Sequence, residues 1–367
     1  MIKFQRSNLP TRILITGGMG FIGSHLAEAL LNTGHQVMVV DNLTTGRFAN
    51  IEHLVGRANF RFAVDDISNQ IVIDRLVSEC DIVFHMAATV GVQLIVENPV
   101  HTVENNVLGT EAVLKAAVRY RTKVFIASTS EVYGKGASVP FTEDDDVVLG
   151  PTSRSRWSYA ASKMVDEFMG LAYYHQKGLP VVIFRLFNTV GPRQTGQYGM
   201  VIPRFVQQAL VGKPLTVYGD GQQSRCFLHV HDAVNAIMAL AECPEAVGQV
   251  FNIGATDEIT VFELAQTVLQ LVDARQPYGV LPFDSVRKNG RGNGNGNDHA
   301  ADSLAERVVF VPYKEAYANG FEDMRRRVPN IAKIRAYTGW RPQKSLHQVL
   351  HDVIDEFAAE KVVAGVG

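Results

Sequence analysis

The sequence has no excess of either charge, no close cysteine pair and no long apolar run. Its 35 Lys and Arg stand against 37 Asp and Glu in 367 residues, a formal charge of −2. There is thus no basic field to hold nucleic acid or an acidic membrane surface. The three cysteines, Cys80, Cys226 and Cys243, are widely spaced with no CxxC among them. This argues against a disulfide framework or a zinc site and fits a reducing, cytoplasmic compartment. No segment reaches the roughly 20 apolar residues that a membrane-spanning helix needs. The first ten residues carry Lys3 and Arg6 with no apolar stretch behind them, so neither a signal peptide nor an anchor is expected. No repeat of solenoid length occurs.

What is present is ample apolar residue, 46% of the chain, enough for one large or two smaller cores without metal or disulfide. Arg12–Thr16 is a short β-branched run, followed by a glycine-rich turn and then by Ile22–Leu31 with apolar residues at helical spacing. The alternation continues through strands at Gln36–Val40, Phe60–Val64, Ile82–Met86, Val124–Ala127 and Val181–Phe184, with an amphipathic helix at Tyr159–His175. Continuous apolar strands between helices predict a doubly wound α/β domain whose parallel sheet is buried on both faces. After Asn188 the pattern becomes irregular, with a strand at Leu215–Tyr218 and a helix at Ile202–Leu210. The expected organisation is a Rossmann domain over 1–187, to which 228–255 returns, and a smaller mixed domain from 188–227 and 256–367 that covers substrate. The Gly/Asn tract 289–297 cannot bury apolar surface and is expected to be a loop or insertion.

Gly17, Gly20 and Gly23 lie between the first strand and its helix, where a tight turn, close approach to a pyrophosphate and helix–strand packing each call for glycine. Asp41, ending the second strand, is placed to accept from the adenosine ribose hydroxyls and to repel a 2′-phosphate, which favours NAD over NADP. Arg47 either softens that preference or is a solvated loop residue. Asp66 and Ile67 follow the third strand and either meet the adenine or cap a helix.

Tyr159 and Lys163 form YxxxK, a spacing that puts both on one helix face. A tyrosine is a feeble base at neutral pH, but an adjacent ammonium and a cationic nicotinamide favour its phenolate, which can then take a hydroxyl proton as hydride leaves the same carbon. Thr129, Ser130 and Glu131 follow a strand, at the carboxyl end where ligands of such folds bind. A binding protein that performs no chemistry has no use for Thr129, Tyr159 and Lys163 together.

From Ile13 to about Pro342 the chain resembles the extended short-chain dehydrogenase/reductases that act on nucleotide-sugars. The resemblance rests on TGGMGFIG, FHMAA at Phe84–Ala88, NVLGT at Asn106–Thr110, STSEVYG, YAASK, FNTVGPR at Phe187–Arg193 and VYGDGQQSRCF at Val217–Phe227. It implies NAD as cofactor, further cofactor contacts from Phe21, Ile22, Asn42, Ala87 and Asn106, substrate contacts from Asn188 and Tyr218, a UDP-sugar substrate and a homodimer. It also implies oxidation of the sugar at C4, with Tyr159 taking the 4-hydroxyl proton and Thr129 holding that oxygen. A 4-ketone beside a C5 carboxylate can lose carbon dioxide; beside CH2OH it can lose water from C6; otherwise the sugar can turn over and be reduced from its other face.

The triplet Thr129-Ser130-Glu131, the spacing of Phe141–Lys163 with its Arg156-Trp157 pair, and Arg225 are similar to the UDP-glucuronate decarboxylases, so decarboxylation is the leading expectation. Epimerases, however, use an arginine at the position of Arg225 to bind diphosphate. GDP-mannose dehydratases also carry Thr-Ser-Glu, whereas dTDP-glucose dehydratases have an aspartate in place of Ser130. A 4-epimerase acting on a uronate is the second reading and a dehydratase the third.

Arg327 either grips diphosphate, as the family arginine does, or belongs to a solvated run with Arg325 and Arg326. Arg193 and Arg204 are candidate phosphate or carboxylate partners. His229 and His231 before Asp232 permit a metal site by strand geometry, but the expectation is polar residues ending a strand, with Asp232 capping the next helix and no metal.

Overall fold

The computed structural model describes residues 10–91, 98–136, 138–196, 200–275, 307–316 and 324–363; the tract 289–297 lies outside them. Strands β1 (Arg12–Thr16), β2 (Gln36–Asp41), β3 (Phe60–Val64), β4 (Ile82–His85), β5 (Lys123–Thr129) and β6 (Val181–Leu186) alternate with helices α1 (Phe21–Asn32), α2 (Gln70–Ser78), α3 (Pro99–Tyr120) and α4 (Trp157–Lys177). After β7 (Thr189–Val190) come α5 (Val201–Leu210), β8 (Leu215–Tyr218), β9 (Ser224–Cys226), β10 (Leu228–His229), α6 (Val230–Glu242) and β11 (Val250–Ile253). The chain continues with β12 (Glu258–Thr260), α7 (Val261–Asp273), β13 (Val308–Val311), α8 (Tyr313–Ala316), β14 (Arg326–Arg327), α9 (Ala332–Thr338) and α10 (Leu346–Val363).

Seven strands form one parallel sheet in the order β11-β6-β5-β4-β1-β2-β3. The pleat explains why these strands are apolar throughout. Ile13 and Ile15 of β1 join Val37, Val39, Phe84 and Phe184 in a core beneath α1 and α6. Leu14 points the other way, with Met38, Val40, Val83 and Val124, onto α2 and α3. A second cluster is built from Phe205 and Val206 of α5, Leu215 and Val217 of β8, Leu264 and Val268 of α7, and Val353 and Ile354 of α10. The predicted strands and helices before residue 188 are all present, with ends moved by no more than about two residues.

The strand order reverses between β1 and β4, whose carboxyl ends open the crevice where ligands of doubly wound sheets bind. No described helix is long and apolar enough to cross a membrane.

Candidate active site

That crevice is a cavity of about 450 Å³ running from the glycine turn to Arg225 and Arg327, a size suited to a small-molecule site. At its sheet end Gly17 has φ +69°, and a Cβ there would lie 2.8 Å from the Ala87 backbone; at Gly23 a Cβ would lie 2.3 Å from the Gly17 carbonyl. Only glycine lets the turn pass so close beneath β4 and lets α1 begin against it. Asp41 is buried, its Oδ2 accepting from Met19 N–H at 3.0 Å and its Oδ1 from Leu43 N–H at 2.9 Å. Burial raises its carboxyl above the ordinary range, against those backbone donors. Phe21, Ile22, Asn42, Ile67 and Ala87 line the same end. This cradle of backbone and glycine, opening at a helix N-terminus beside a buried acid, fits a dinucleotide diphosphate and its ribose.

The catalytic candidates come together where β5 ends. Thr129, Ser130, Glu131 and Tyr159 line the cavity, and the Thr129 hydroxyl accepts from Glu131 N–H at 3.2 Å. The turn that carries them is pinned from below: Arg185 holds Glu167 at 2.7 Å and donates to the Tyr133 hydroxyl at 2.8 Å, while Ser128 donates to Glu167. Ser130 is buried at the cavity wall and its Oγ has no hydrogen-bond partner, a desolvation cost that a bond from a ligand would offset. Burial, and next the charge of Glu131, push the Tyr159 phenol well above its usual value, and a hydrogen bond with Thr129 pulls it back.

At the far end Arg225, Arg204, Asn188, Tyr218 and Arg327 line the cavity. Arg225 is buried and anchored to the Ser224 carbonyl at 2.7 Å. Arg204 stacks over the Tyr218 ring at 3.9 Å, and Asn188 donates to the Cys226 carbonyl at 2.9 Å. The run Arg325–Arg327 divides: the first two pair outward with Asp220 and Glu258, whereas Arg327, 8% exposed, turns in and meets Glu131 at 3.5 Å.

Other expected positions are placed elsewhere. Arg193 is not brought to the cavity, because it grips Glu28 at 2.5 Å beside His53. Asp66 does not line it either; it accepts from Asn42 at 2.7 Å and from Ser68 N–H at 2.8 Å, and Asn69, not Asp66, caps α2. Asn106 sits behind the wall, accepting from Thr89 N–H at 2.8 Å and donating to Ser162 at 2.9 Å. Lys163 is also behind it, paired with Asp166 at 2.7 Å. Arg47 donates to the Arg193 carbonyl at 3.4 Å. The helix cap expected of Asp232 is made by His229, whose Nδ1 accepts from His231 N–H at 3.0 Å; Asp232 instead accepts from Gln343 and Lys344 N–H. Among the described residues no group of three or more His, Cys, Asp or Glu side chains is arranged to hold a metal ion. Sequence reasoning had not placed Arg156 in the site, yet it is buried and lines the cavity; its signal was its position three residues before Tyr159, on the same helical face.

The family described as GDP-mannose 4,6 dehydratase matches residues 14–353. A UDP-N-acetyl-alpha-D-glucosaminuronate decarboxylase of Bacillus cytotoxicus is 41% identical over 94% of this chain and 97% of that protein. UDP-glucuronic acid decarboxylase 1 of Danio rerio is 34% identical, covering 98% of this chain and 75% of its own. The solved structure of DesIV, a dTDP-glucose 4,6-dehydratase from Streptomyces venezuelae with NAD and TYD bound, superposes with TM-score 0.79 at 28% identity, covering 96% of this chain and 98% of the other. With its glycine turn, Thr-Ser-Glu segment and Tyr159 in one crevice, the chain belongs to the GDP-mannose 4,6 dehydratase family of extended short-chain dehydrogenase/reductases.

Proposed function

We propose that the protein is an NAD-dependent decarboxylase of a UDP-linked uronate, either glucuronate or its 2-acetamido analogue. The observation that carries this reading is the meeting of Glu131 with Arg327 in the cavity that also holds Thr129, Tyr159 and Arg225. Two buried arginines and an acid beside the reacting end suit a substrate with a diphosphate and a further carboxylate. The two decarboxylases among the relatives point the same way.

NAD, when bound on Gly17, Gly20, Gly23 and Asp41, supplies the hydride acceptor for sugar C4. Tyr159 takes the 4-hydroxyl proton while Thr129 holds that oxygen. The ketone so formed at C4 is β to the carboxylate, and the C5–carboxylate bond breaks with its electron pair delocalised into the enolate. Arg225 stabilises that charge, Glu131 passes to C5 a proton that it takes up from solvent, and Ser130 donates a hydrogen bond to the sugar. Arg204, Arg327, Tyr218 and Asn188 hold the UDP. The glutamate makes a plain epimerase the weaker reading.

The same proposal includes a cofactor half, 1–187 with 228–255, and a sugar-nucleotide half, 188–227 with 256–367; the pairing of β11 with β6 and the separate core around α5, α7 and α10 support it. It includes a homodimer through α3 and α4, which leave Val100, Val103, Val165 and Phe168 exposed. A reducing, cytoplasmic setting suits the three cysteines, all buried thiols.

The test is incubation with NAD and each of the two UDP-uronates, followed by NMR of the sugar. Carbon dioxide with a UDP-pentose or its 4-ketone establishes the proposal and the better substrate names the C2 group. A UDP-uronate epimerised at C4 without carbon dioxide overturns it in favour of the epimerase.

A further inference from the structure

Tyr159, Lys163 and Asp166 lie at i, i+4 and i+7 on one face of α4. Lys163 Nζ is turned onto Asp166 Oδ2 at 2.7 Å, and neither side chain is more than 2% exposed. The acid does not stand alone. Burial pushes its carboxyl up, and Lys163 and then the Thr110 hydroxyl of α3 pull it back; Thr110 Oγ1 is 2.9 Å from His85 Nε2. His85 Nδ1 is 2.8 Å from Thr16 Oγ1, which itself accepts from Ala87 N–H at 3.2 Å at the cavity wall.

The direction of this chain is fixed by its end. Because a carboxylate only accepts, the Thr110 hydroxyl is spent toward Asp166; Thr110 Oγ1 then accepts from His85 Nε2–H, and Nδ1 of the neutral imidazole accepts from the Thr16 hydroxyl. Burial keeps His85 neutral, its pKa pushed down to about 3. Thr16, His85, Thr110, Asp166 and Lys163 are all buried, so this is a polar cluster inside the core and not a solvated surface pair, with Asp166 Oδ2 taken by Lys163 and Oδ1 left without a full hydrogen bond.

We propose that Asp166 is a positioning residue that holds Lys163 in place on the Tyr159 face of α4 and tempers its charge there, with Thr110, His85 and Thr16 backing its carboxylate. The proposal rests on the reaction above insofar as Tyr159 takes a proton from the sugar and later returns one. A phenolate stabilised without limit would take the proton and never give it back. Asp166 opposes that outcome, because its carboxylate is bound to Lys163 at 2.7 Å on the helix face that carries Tyr159 and offsets that ammonium. After burial and the charge of Glu131, and against the Thr129 hydrogen bond, Asp166 is the further influence that raises the Tyr159 phenol, while Arg327 opposes it. The other charged groups nearby are Glu167, which is held by Arg185, and the neutral His85.

The sign of the test follows. Catalysis by a phenolate rises with pH through the Tyr159 ionisation. Replacing Asp166 by neutral Asn removes the opposing charge and leaves the Lys163 ammonium to favour the phenolate. The acid limb of the pH–rate profile should therefore move to lower pH by about one unit in D166N. A second readout needs no turnover: tyrosinate absorbance near 295 nm, titrated in the NAD-loaded protein and referenced to Y159F, should show the same displacement of one tyrosine among the 11. The absorbance titration uses no sugar nucleotide, so it judges Asp166 even if the uronates prove not to be substrates. A drop in rate with limb and absorbance step unmoved, or a shift to higher pH, overturns the proposal. If D166N does not fold, Thr110→Val serves instead, with a smaller shift in the same direction expected and an unmoved step overturning it.

Discussion

Glu131 and Arg327 meet at 3.5 Å although one lies in the turn after β5 and the other in β14, so a segment far further along the chain supplies the cation that faces this acid.

Because that acid faces both Arg327 and Tyr159, removing its charge separates two steps. In E131Q carbon dioxide release should fall about 10²- to 10⁴-fold, the range for loss of a general acid–base group, whereas oxidation at C4, followed as NADH absorbance, should persist. In Y159F both signals should be lost together. Equal loss of both signals in E131Q would remove Glu131 from the decarboxylation step.

Asp41 holds Met19 N–H of the glycine turn and Leu43 N–H of its own loop, and lines the cavity. Asp41→Ala should weaken NAD about ten- to a hundredfold, the loss expected of charge-assisted hydrogen bonds, and should narrow the gap between NAD and NADP. Calorimetric titration with both nucleotides measures this. An NAD/NADP ratio that stays constant would leave Asp41 as a prop of the turn alone.

Stability should decline on the acid side of neutrality. Burial lowers His25 and His229 from 6.5 to about 4 and His85 from 6.5 to about 3, so between those values and 6.5 the unfolded chain binds protons that the folded chain does not. Within that window each histidine costs about 1.4 kcal/mol per pH unit, and unfolding is favoured as pH falls. Thermal melts should be flat above about pH 7 and drop steadily from pH 6.5 to 5. His85→Asn should flatten the slope. A melting temperature constant down to pH 5 would contradict the burial argument.

Phe168 on α4 is 67% exposed and lies on the face with Val165. Phe168→Asp should convert the proposed dimer into a folded monomer, measured by light scattering with an unchanged circular dichroism spectrum. A dimer that persists would place the interface elsewhere.

Much of the fold was legible because its signals are local. The alternation of apolar strands and helices, the glycines at 17, 20 and 23, and the YxxxK spacing each depend on neighbours a few residues away, and each element formed where its residues require. The site's cations were not legible in this way. Arg193 and Arg327 are equivalent candidates in the sequence, yet one is taken by Glu28 and the other turns to Glu131. The capping of α6 went to His229 because Asp232 is drawn to the backbone of Gln343 and Lys344. Lys163 and Tyr159 share a helical face, as their spacing dictates, but the partner of the lysine depends on Asp166 being sealed in beneath α3. The sequence by itself therefore determined the sheet, the glycine turn and the shared helical face of Tyr159 and Lys163, since backbone propensity and side-chain period act over a few residues. Only the tertiary structure decided which charges face one another, since electrostatic pairing depends on distance and burial between segments far apart in the chain.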